Sequence, residues 1–231
     1  MPSTMVTSLR QAMLLALLLA APDSTPAVAK DAATPPSFQP LTAWRPYRHG
    51  GPLPETWKIE GNVIRHTPGG GDIVSVEEFS SFELDFDWAI SPGGNSGVLY
   101  RVGEAAGAPF DSGPEYQILD NSETPDGQSP LTAAASCYAV YPVSTDATKP
   151  VGEWNAARIV VRGRHVEHWL NGVKVVSYDL GSDDWTNRVG ASKFGTTPIY
   201  GTLPRGHIDL QDHGAAARYR NLMIARLPDN Q

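Results

Sequence analysis

The chain has 231 residues and a net charge of −7, with 19% of its residues charged. It contains no run of basic residues, which argues against nucleic acid as a partner. Its 22 glycines and 20 prolines, with few helical patterns, favour a turn-rich β protein built as one domain. The single cysteine, Cys137, excludes an intramolecular disulfide, so we expect core packing alone to hold the fold.

The first 29 residues have the pattern of a secretory signal peptide. Arg10 precedes the apolar run "MLLALLLAA", and the small residues Ala27 and Ala29 stand where cleavage is expected. The run is too short for a stable membrane span, which needs roughly 20 residues. We therefore expect a signal peptide over residues 1–29, a proline-rich linker over 30–37 and one domain over 38–231, with no membrane span after cleavage.

The destination of the exported chain follows from its cysteine content. An exported protein without disulfides fits a bacterial periplasm better than a eukaryotic extracellular space. An uncleaved N-terminal anchor is the alternative to export, since the same apolar run would then stay attached to the domain.

Period-2 alternation dominates the remaining chain. The stretch "WKIEGNVIRH" reads as two short strands around a turn, and "FELDFDWAI" sets Phe82, Leu84, Phe86 and Trp88 against acidic residues. Such alternation is typical of half-buried antiparallel strands. The stretches "NSGVLYRV" and "PEYQILD" predict two more strands, and "SCYAVYPV" predicts a further short one.

The later part of the chain continues the pattern. Arg-Gly and Asn-Gly turns divide "ARIVVRGRHVEHWLNGVKVVSYDL" into three strands, and Asn-Gly is the strongest short-range hairpin signal. The segment "DDWTNRVGASKF" is the best helix candidate, and "GHIDLQDHG" and "AARYRNLMIARL" supply the last strands. Roughly nine to thirteen antiparallel strands in a domain of this size predict two packed sheets, an all-β jelly-roll sandwich.

The stretch "GPEYQILDN" carries more polar groups than a core strand needs. In a strand, Glu115 and Gln117 point to one face while Tyr116 and Ile118 point to the other. We therefore expect Tyr116 and Ile118 to fill the core between the sheets. Glu115 and Gln117 would then face a second surface.

Two other strands predict polar side chains for the same surface. Alternation in "NSGVLYRV" puts Asn95 and Arg101 on one face, with Gly97 leaving it open between them. Alternation in "GHIDLQDHG" groups four side chains: His207, Asp209, Gln211 and His213. Amide, carboxylate, imidazole and guanidinium groups together suit a polyhydroxylated ligand, because each hydroxyl both donates and accepts hydrogen bonds.

Each of these residues also has a purely structural interpretation. Glu115 would pair with Arg101 in a salt bridge, and His213 would be a loop residue before a glycine. Asp120 would close an Asx-turn at the end of its strand. Each tryptophan would either pack in the core or stack on a sugar ring, and core packing is favoured because tryptophan is usually buried.

The sequence lacks the common catalytic signatures. It contains no "GxSxG", "HExxH" or phosphate loop, and no E-x-D-x-E strand of the laminarinase type. Ordinary glycoside hydrolysis needs two carboxylates about 5 to 9 Å apart, and the sequence gives Glu115 no evident partner.

Five motifs in order, "GGNSGVLYRV", "GPEYQILDN", "VGEWN", "VEHWLNG" and "GHIDLQDHG...RYRNLMI", resemble the 3-keto-disaccharide hydrolase family. The resemblance covers residues 38–227 and implies a concanavalin A-like jelly roll. It also implies cleavage of glycosides already oxidised to a ketone at C3. The chain departs from the family pattern at "CYAVYPV" and "AAARYRN".

The resemblance also implies roles for individual residues. Glu115 is implied as the base or a metal ligand, and His213 as the competing base. Substrate contacts are implied for five more residues: Asn95, Arg101, Gln117, Asp120 and Gln211. A divalent metal ion stays open as a cofactor, because a Lewis acid would polarise the ketone but no ligand spacing demands one.

Two other functions remain open at the level of sequence. The same polar face would serve a carbohydrate-binding module without catalysis, in which case the partner is a sugar that is bound and not consumed. A scaffold in a larger envelope assembly is the third alternative, although it gives the polar clusters no purpose.

Overall fold

A computed structural model describes Met1, residues 35–105 and residues 107–229. The predicted signal peptide beyond Met1 and residues 30–34 of the predicted linker lie outside these described residues. Within them, no helix is long and apolar enough to cross a membrane.

The described residues form strands joined mostly by turns and loops, with one α-helix. The strands are β1 (Gln39–Pro40), β2 (Trp44–Pro46), β3 (Trp57–Glu60), β4 (Val63–His66), β5 (Ile73–Phe79), β6 (Phe82–Ile90), β7 (Asn95–Val102), β8 (Glu115–Leu119), β9 (Asn155–Arg162), β10 (His165–Leu170), β11 (Val173–Asp179), β12 (Gly206–Leu210) and β13 (Ala217–Arg226). The helix α1 spans Asp183–Ala191, and short 3₁₀ turns span Pro109–Asp111 and Asp126–Gln128.

The strands form two antiparallel sheets. The large sheet has eight strands in the order β11-β10-β9-β6-β13-β4-β3, with β1 beside β13. The small sheet has five strands in the order β2-β5-β12-β7-β8. This arrangement confirms the predicted all-β jelly-roll sandwich.

The core lies between the sheets and follows the predicted alternation. On β6, Phe82, Leu84, Phe86 and Trp88 are at most 2% exposed, while the acidic residues between them face outward. Burying one such side chain contributes about 1.5–3 kcal/mol to the free energy of unfolding, so the inner face of β6 is a large part of the core.

The turns predicted from glycine also form. Asn171 and Gly172 adopt φ values of 49° and 83° between β10 and β11, and Gly163 adopts 60° between β9 and β10. These left-handed conformations cost glycine little and asparagine less than most residues. The two hairpins therefore place three neighbouring strands at one edge of the large sheet.

Helix α1 lies inside the segment predicted to be helical. The Ser182 hydroxyl accepts a hydrogen bond from the Trp185 backbone N–H at 3.1 Å, which caps the first turn. Asp183 and Asp184 in that turn complement the helix dipole. The helix ends at Ala191, three residues before the end of the predicted segment.

The strand predicted for "SCYAVYPV" is wrong. Cys137 makes only isolated bridges to Tyr116 and Tyr141, and Ala139 adopts a left-handed φ of 60°. A left-handed alanine breaks the extended backbone that a strand needs. The segment nevertheless runs beside β8, where the Tyr138 backbone N–H donates to the Glu115 carbonyl at 3.1 Å.

Candidate functional site

Strand β8 serves two surfaces, as its sequence predicts. The Tyr116 ring packs edge-on against Phe86 of the large sheet, with ring centres 5.6 Å apart, and Ile118 is fully buried in the same core. Glu115 and Gln117 point to the opposite, outer face of the small sheet because side chains alternate along a strand.

Strand register places a second carboxylate in the same row as Glu115. Glu115 lies opposite Leu99 of β7, and Leu99 lies opposite Asp209 of β12. Paired residues share a face, so both carboxylates stand on the outer face. Their backbones are two strands apart, about 10 Å at the usual strand spacing. Asp209 is therefore a second carboxylate on the same face as Glu115, which spacing along the sequence did not pair with it.

A second row of polar side chains lies beside the first. Gln117 is opposite Gly97, and the Gln211 backbone N–H donates to the Gly97 carbonyl at 3.0 Å. A Cβ built on Gly97 would lie 2.6 Å from Glu115 Oε1, so the carboxylate occupies the space a side chain would fill. Gly97 leaves space on this face, as predicted, but the Glu115 carboxylate occupies that space.

Four acceptor atoms of this outer face have no hydrogen-bond partner within the described residues. Both carboxylate oxygens of Asp209, Oε1 of Gln211 and Oδ1 of Asn95 are buried and unpartnered. An unsatisfied buried polar group costs about 1–3 kcal/mol. Four such atoms on one face indicate a surface built to accept hydrogen bonds from a ligand.

Burial dominates the protonation of the two carboxylates. It raises the pKa of Glu115 to about 8, with Lys193 opposing the shift and Asp72 adding to it. Burial also raises the pKa of Asp209 well above its ordinary value, and the negative charges of Asp72 and Glu115 add to the effect. A carboxyl group with a pKa near 8 exchanges protons at physiological pH, which suits acid–base catalysis.

Asp72 belongs to the same electrostatic group. Burial raises its pKa to about 6, and its Oδ1 accepts a hydrogen bond from the Asp212 backbone N–H at 2.7 Å. That hydrogen bond lowers the pKa of Asp72 and opposes the larger effect of burial.

Lys193 supplies a positive charge near Glu115. Its charge lowers the pKa of Glu115, against the larger effect of burial. Its Nζ also lies 4.3 Å from the centre of the Tyr138 ring, which holds the ammonium by a cation–π contact. An exposed lysine at this place is able to meet a negatively charged oxygen on a ligand.

The structure contradicts the prediction that Arg101 shares a face with Asn95. Between the paired positions Leu99–Asp209 and Val102–His207, β7 has one residue more than β12, which is a β-bulge. Arg101 adopts a left-handed φ of 54° there. Alternation breaks at the bulge, so the guanidinium leaves the outer face.

Arg101 instead donates to backbone carbonyls of two turns, the one that joins β5 of the small sheet to β6 of the large sheet and the one between β9 and β10. Nη2 donates to the Gly163 oxygen at 2.6 Å and to the Ser80 oxygen at 3.0 Å. No ion pair joins Arg101 to Glu115 within the described residues, so the alternative of a Glu115–Arg101 salt bridge is wrong as well.

Asp120 takes the structural role that was its alternative. Its Oδ1 accepts hydrogen bonds from the Ser122 N–H at 2.9 Å and the Ser122 hydroxyl at 2.6 Å, and its Oδ2 accepts from the Gly93 N–H at 2.9 Å. These bonds lower its pKa against the effect of burial. Asp120 therefore fastens the loop after β8 and has little acceptor capacity left for a ligand.

His213 lies at the exposed end of the outer face. It follows Gln211 by two residues, beyond the end of β12, and its side chain is exposed. Its neighbour Asp212 is bound by the backbone N–H groups of residues 69–71, each at 2.8–2.9 Å. This anchor fixes the backbone beside His213, while the imidazole itself makes no hydrogen bond or ion pair with the described residues.

Four tryptophans, Trp44, Trp57, Trp88 and Trp185, belong to the hydrophobic core and are at most 8% exposed. Core packing, the favoured interpretation for each, is confirmed. Sugar stacking by these rings is therefore not part of the site.

The structure brings together four of the residues predicted from sequence, Glu115, Gln117, Asn95 and Gln211, on the outer face of the small sheet. Alternation also groups Asp209 with them but indicates no role for it, although an aspartate between the apolar Ile208 and Leu210 is a usable signal. Nothing in the sequence indicates Lys193, because it lies in a loop whose path depends on tertiary packing.

The described residues contain no group of three or more histidine, cysteine, aspartate or glutamate side chains arranged to hold a metal ion. The unpartnered oxygens of Asp209 and Gln211 are of the hard type that divalent ions accept, yet two ligands do not make a defined cation site.

The fold and the strand register define a jelly-roll β-sandwich whose small sheet carries buried, unpartnered acceptor atoms on its outer face. Residues 39–225 match the family described as a 3-keto-alpha-glucoside-1,2-lyase-like domain. A 3-keto-disaccharide hydrolase of Bacteroides thetaiotaomicron is 33% identical over 216 residues, which cover 80% of this chain and 74% of that protein. The chain belongs to this family, which confirms the resemblance seen in the motifs.

Solved structures agree on the fold. A candidate glycosyl hydrolase from Parabacteroides distasonis is 36% identical, with a TM-score of 0.74 over 80% of this chain and 89% of that one. The carbohydrate-binding module CBM66 from Bacillus subtilis, at 14% identity and a TM-score of 0.50, covers 80% of this chain and 96% of its own. At that identity the likeness concerns the fold alone.

Proposed function

We propose that the protein cleaves glycosides whose sugar carries a ketone at C3, by removing the proton from C2. Family membership and the name of the Bacteroides relative support the substrate class. The observation that carries the proposal is the buried Glu115 carboxyl on a face of unpartnered acceptors, since a sugar would donate its hydroxyl hydrogens to them.

The reaction needs one base and a stabilised anion. A ketone at C3 acidifies the C2 hydrogen, so a base can remove it as a proton. The electrons of the C2–H bond are then delocalised onto the C3 ketone oxygen, which gives an enolate. The enolate then expels the C1 oxygen with its bond electrons, which gives an unsaturated ketosugar and a leaving sugar that gains a proton. Addition of water across the new double bond makes the net reaction a hydrolysis.

Glu115 is assigned as the base. Its pKa of about 8 makes it a stronger base than an ordinary carboxylate once it is ionised, and the nearby Lys193 ammonium favours that ionised form. Activity should therefore rise with pH toward about 8. If Glu115 instead donates a proton to the leaving oxygen, activity falls over the same range.

The neighbouring groups divide the remaining work. Burial raises the pKa of Asp209 well above its ordinary value, which favours its protonated form, and we assign it as the proton donor to the leaving oxygen. The Gln117 and Gln211 amides carry N–H donors for the enolate oxygen, and Lys193 adds positive charge. Asn95, the half-buried first residue of β7, would form hydrogen bonds with hydroxyls of the sugar.

The test is cleavage of a 3-keto-disaccharide by the wild-type protein, by Glu115→Gln and by His213→Ala. Glu115→Gln should reduce turnover about 10²-fold or more, which is the usual contribution of a positioned base. Glu60→Gln is the matched control, because Glu60 is exposed in a hairpin of the large sheet. Full activity in Glu115→Gln with loss in His213→Ala would move the base to His213.

A carbohydrate-binding module is the second candidate. The unpartnered oxygens would serve binding equally well, but binding gives no reason to hold a carboxyl near pKa 8. If sugar binding depends on Asn95 and Gln211 and no 3-keto-glycoside is consumed, the protein is a carbohydrate-binding module and the proposed enzyme activity is wrong.

The proposal includes the location at which the protein acts. Export by the predicted signal peptide over residues 1–29 would take the domain to a bacterial periplasm. Detection of mature protein beginning near residue 30 in a periplasmic fraction would support this location, and retention of the full-length chain in the cytoplasm would contradict it.

A further inference from the structure

A cavity of about 880 Å³ lies apart from the outer face of the small sheet. It is bounded by the turn after β5, the turn between β9 and β10, helix α1 and the loop over residues 194–204. Its volume lies within the range of small-molecule sites, about 300–1,000 Å³. We call it the Arg101 cavity, because the guanidinium of Arg101 forms part of its lining.

Arg101 is the first observation that points to a ligand. The residue is only 6% exposed, and its hydrogen bonds use Nε and Nη2. Its Nη1 has no hydrogen-bond partner among the described residues, and no ion pair neutralises its charge there. Burial lowers the pKa of Arg101 from its ordinary value, yet an arginine keeps its charge at all physiological pH values. A buried guanidinium with free donors calls for an anion.

Aromatic rings form the second part of the lining. Tyr200 stacks between Trp185 and Phe194, with ring centres 5.7 Å and 4.0 Å away and planes within 6° of parallel. All three rings line the cavity. Tyr178 covers the other face of Trp185, and the three lining rings are at most 4% exposed, so they form an apolar wall and offer no free face for stacking. The hydroxyl-bearing Thr197 also lines the cavity, and apolar walls with a few polar groups are typical of small-molecule sites.

Asp229 at the rim is a third, independent observation. Its Oδ2 accepts a hydrogen bond from the Ser80 hydroxyl at 3.0 Å. Hydrogen bonds from Ser81 and Ser80 lower the pKa of Asp229, and the positive charge of Arg101 adds to this effect. The carboxylate lines the cavity but lies beyond ion-pair distance of Arg101. The Asp229 carboxylate is thus close enough to feel the positive charge of Arg101 but does not form an ion pair with it.

We propose that the Arg101 cavity is a second ligand site, which takes a hydroxylated ring bearing an oxyanion, as an acidic sugar does. Arg101 binds the oxyanion through Nη1, the exposed Arg164 at the rim adds positive charge, and the buried aromatic rings form the apolar wall behind the ligand. Asp229 competes with the ligand for Arg101, so the end of the described chain tunes the affinity. The site does not depend on the function proposed for Glu115.

The experiment measures binding of three probes to the full chain by titration calorimetry: glucuronate, glucose 6-phosphate and glucose. We expect at least one anion to bind about tenfold or more tightly than glucose, since charge-assisted bonds to arginine carry the recognition. Binding of glucuronate alone identifies a carboxylate ligand, and binding of glucose 6-phosphate alone identifies a phosphate. Equal binding of all three, or binding of none at millimolar concentration, overturns the proposal.

Variants locate the binding. Arg101→Gln should abolish anion binding, and because it also removes hydrogen bonds to two turns, its folding is checked by thermal unfolding. Asp229→Asn changes only an exposed side chain and should tighten anion binding about two- to fivefold, the usual scale for one exposed charge. Weaker or unchanged binding in Asp229→Asn would contradict the competition.

Glu115→Gln separates this site from the proposed catalytic face. It should bind the anions like the wild-type protein while losing turnover. Loss of anion binding in Glu115→Gln would show that the anions occupy the outer face of the small sheet, and the second site would be wrong. Unchanged anion binding together with full turnover would overturn the proposed function and leave the second site standing.

Discussion

The outer faces of the two sheets start from the same sequence pattern and end in opposite electrostatic states. On the large sheet, Arg158 binds Asp85 and Glu83 at 2.5 and 2.8 Å, and Arg220 binds Asp87 at 2.8 Å. On the small sheet, Glu115 and Asp209 share a row with Leu99, and no arginine or lysine forms an ion pair with either among the described residues.

The difference separates structure from function. A carboxylate that alternates with core residues is the ordinary outer face of an antiparallel strand, and a cross-strand arginine satisfies it. A buried carboxylate without such a partner costs free energy of folding, and proteins keep that cost mainly where a ligand or a reaction needs the group. The absence of a partner, more than the presence of an acid, marks the small sheet as the site.

The largest expected effect is on the pH dependence of stability. Glu115 has a folded pKa of about 8 against an ordinary value of 4.5, so the folded protein retains a proton that the unfolded chain has lost. Stability is fully present below pH 4.5 and falls by about 1.4 kcal/mol per pH unit until the folded pKa is passed. Urea unfolding of wild-type protein and Glu115→Gln should diverge by about 4 kcal/mol between pH 5 and pH 8, with the variant more stable.

The matched control for that prediction is Glu60→Gln, which should follow the wild-type curve at every pH because Glu60 is exposed. Parallel curves for wild-type protein and Glu115→Gln would mean that the Glu115 carboxyl has the same pKa in the folded and unfolded protein, and a folded pKa of about 8 would be wrong.

A smaller effect is expected from removing the second carboxylate of the row. Asp209→Asn should lower turnover of a 3-keto-disaccharide about 10²-fold, because a proton donor to the leaving oxygen is lost. Asp85→Asn on the large sheet, which breaks an ion pair and nothing in the site, should keep turnover within about twofold. Equal losses in both variants would remove the contrast between the faces.

Gly97→Ala tests the space that Glu115 occupies. The new methyl group would lie 2.6 Å from Glu115 Oε1, so the carboxylate must move. A displacement of about 1 Å typically costs 10- to 100-fold in rate, and kcat should fall on this scale. Gly50→Ala is the control, since a Cβ at Gly50 meets nothing within 4 Å. Unchanged kcat in Gly97→Ala would show that the position of Glu115 does not matter.

The smallest effect is expected on the large sheet. Arg158→Gln removes the pairing of Asp85 and Glu83, but its side chain is 44% exposed. Exposed ion pairs contribute about 0–1 kcal/mol, so thermal unfolding should shift by a few degrees at most and turnover should stay unchanged. A large loss of turnover would place a function on this face as well.

The fold was predictable from sequence because each signal is local. Alternation in β6, the Asn-Gly turn and the capped segment of α1 depend on residues close along the chain, and the structure confirms them. The strand predicted around Cys137 failed because left-handed backbone at Ala139 is set by packing and not by residue type.

The site was predictable only in part, for a related reason. Alternation places Glu115 and Gln117 correctly because β8 is regular, but one extra residue in β7 turns Arg101 away from Asn95. A β-bulge is defined by the pairing of two strands, so the sequence of one strand alone does not reveal it. The proximity of Lys193 to Glu115 depends on the path of a loop, which sequence patterns do not encode.

The measurement that tests the central claim most directly is proton NMR of a 3-keto-disaccharide in heavy water with wild-type protein and with Glu115→Gln. We expect wild-type protein to remove the C2 proton signal and release the second sugar, and Glu115→Gln to do neither above the rate seen without protein. Loss of the C2 proton at the wild-type rate in Glu115→Gln would contradict it. The unpaired carboxylate would then not be the base.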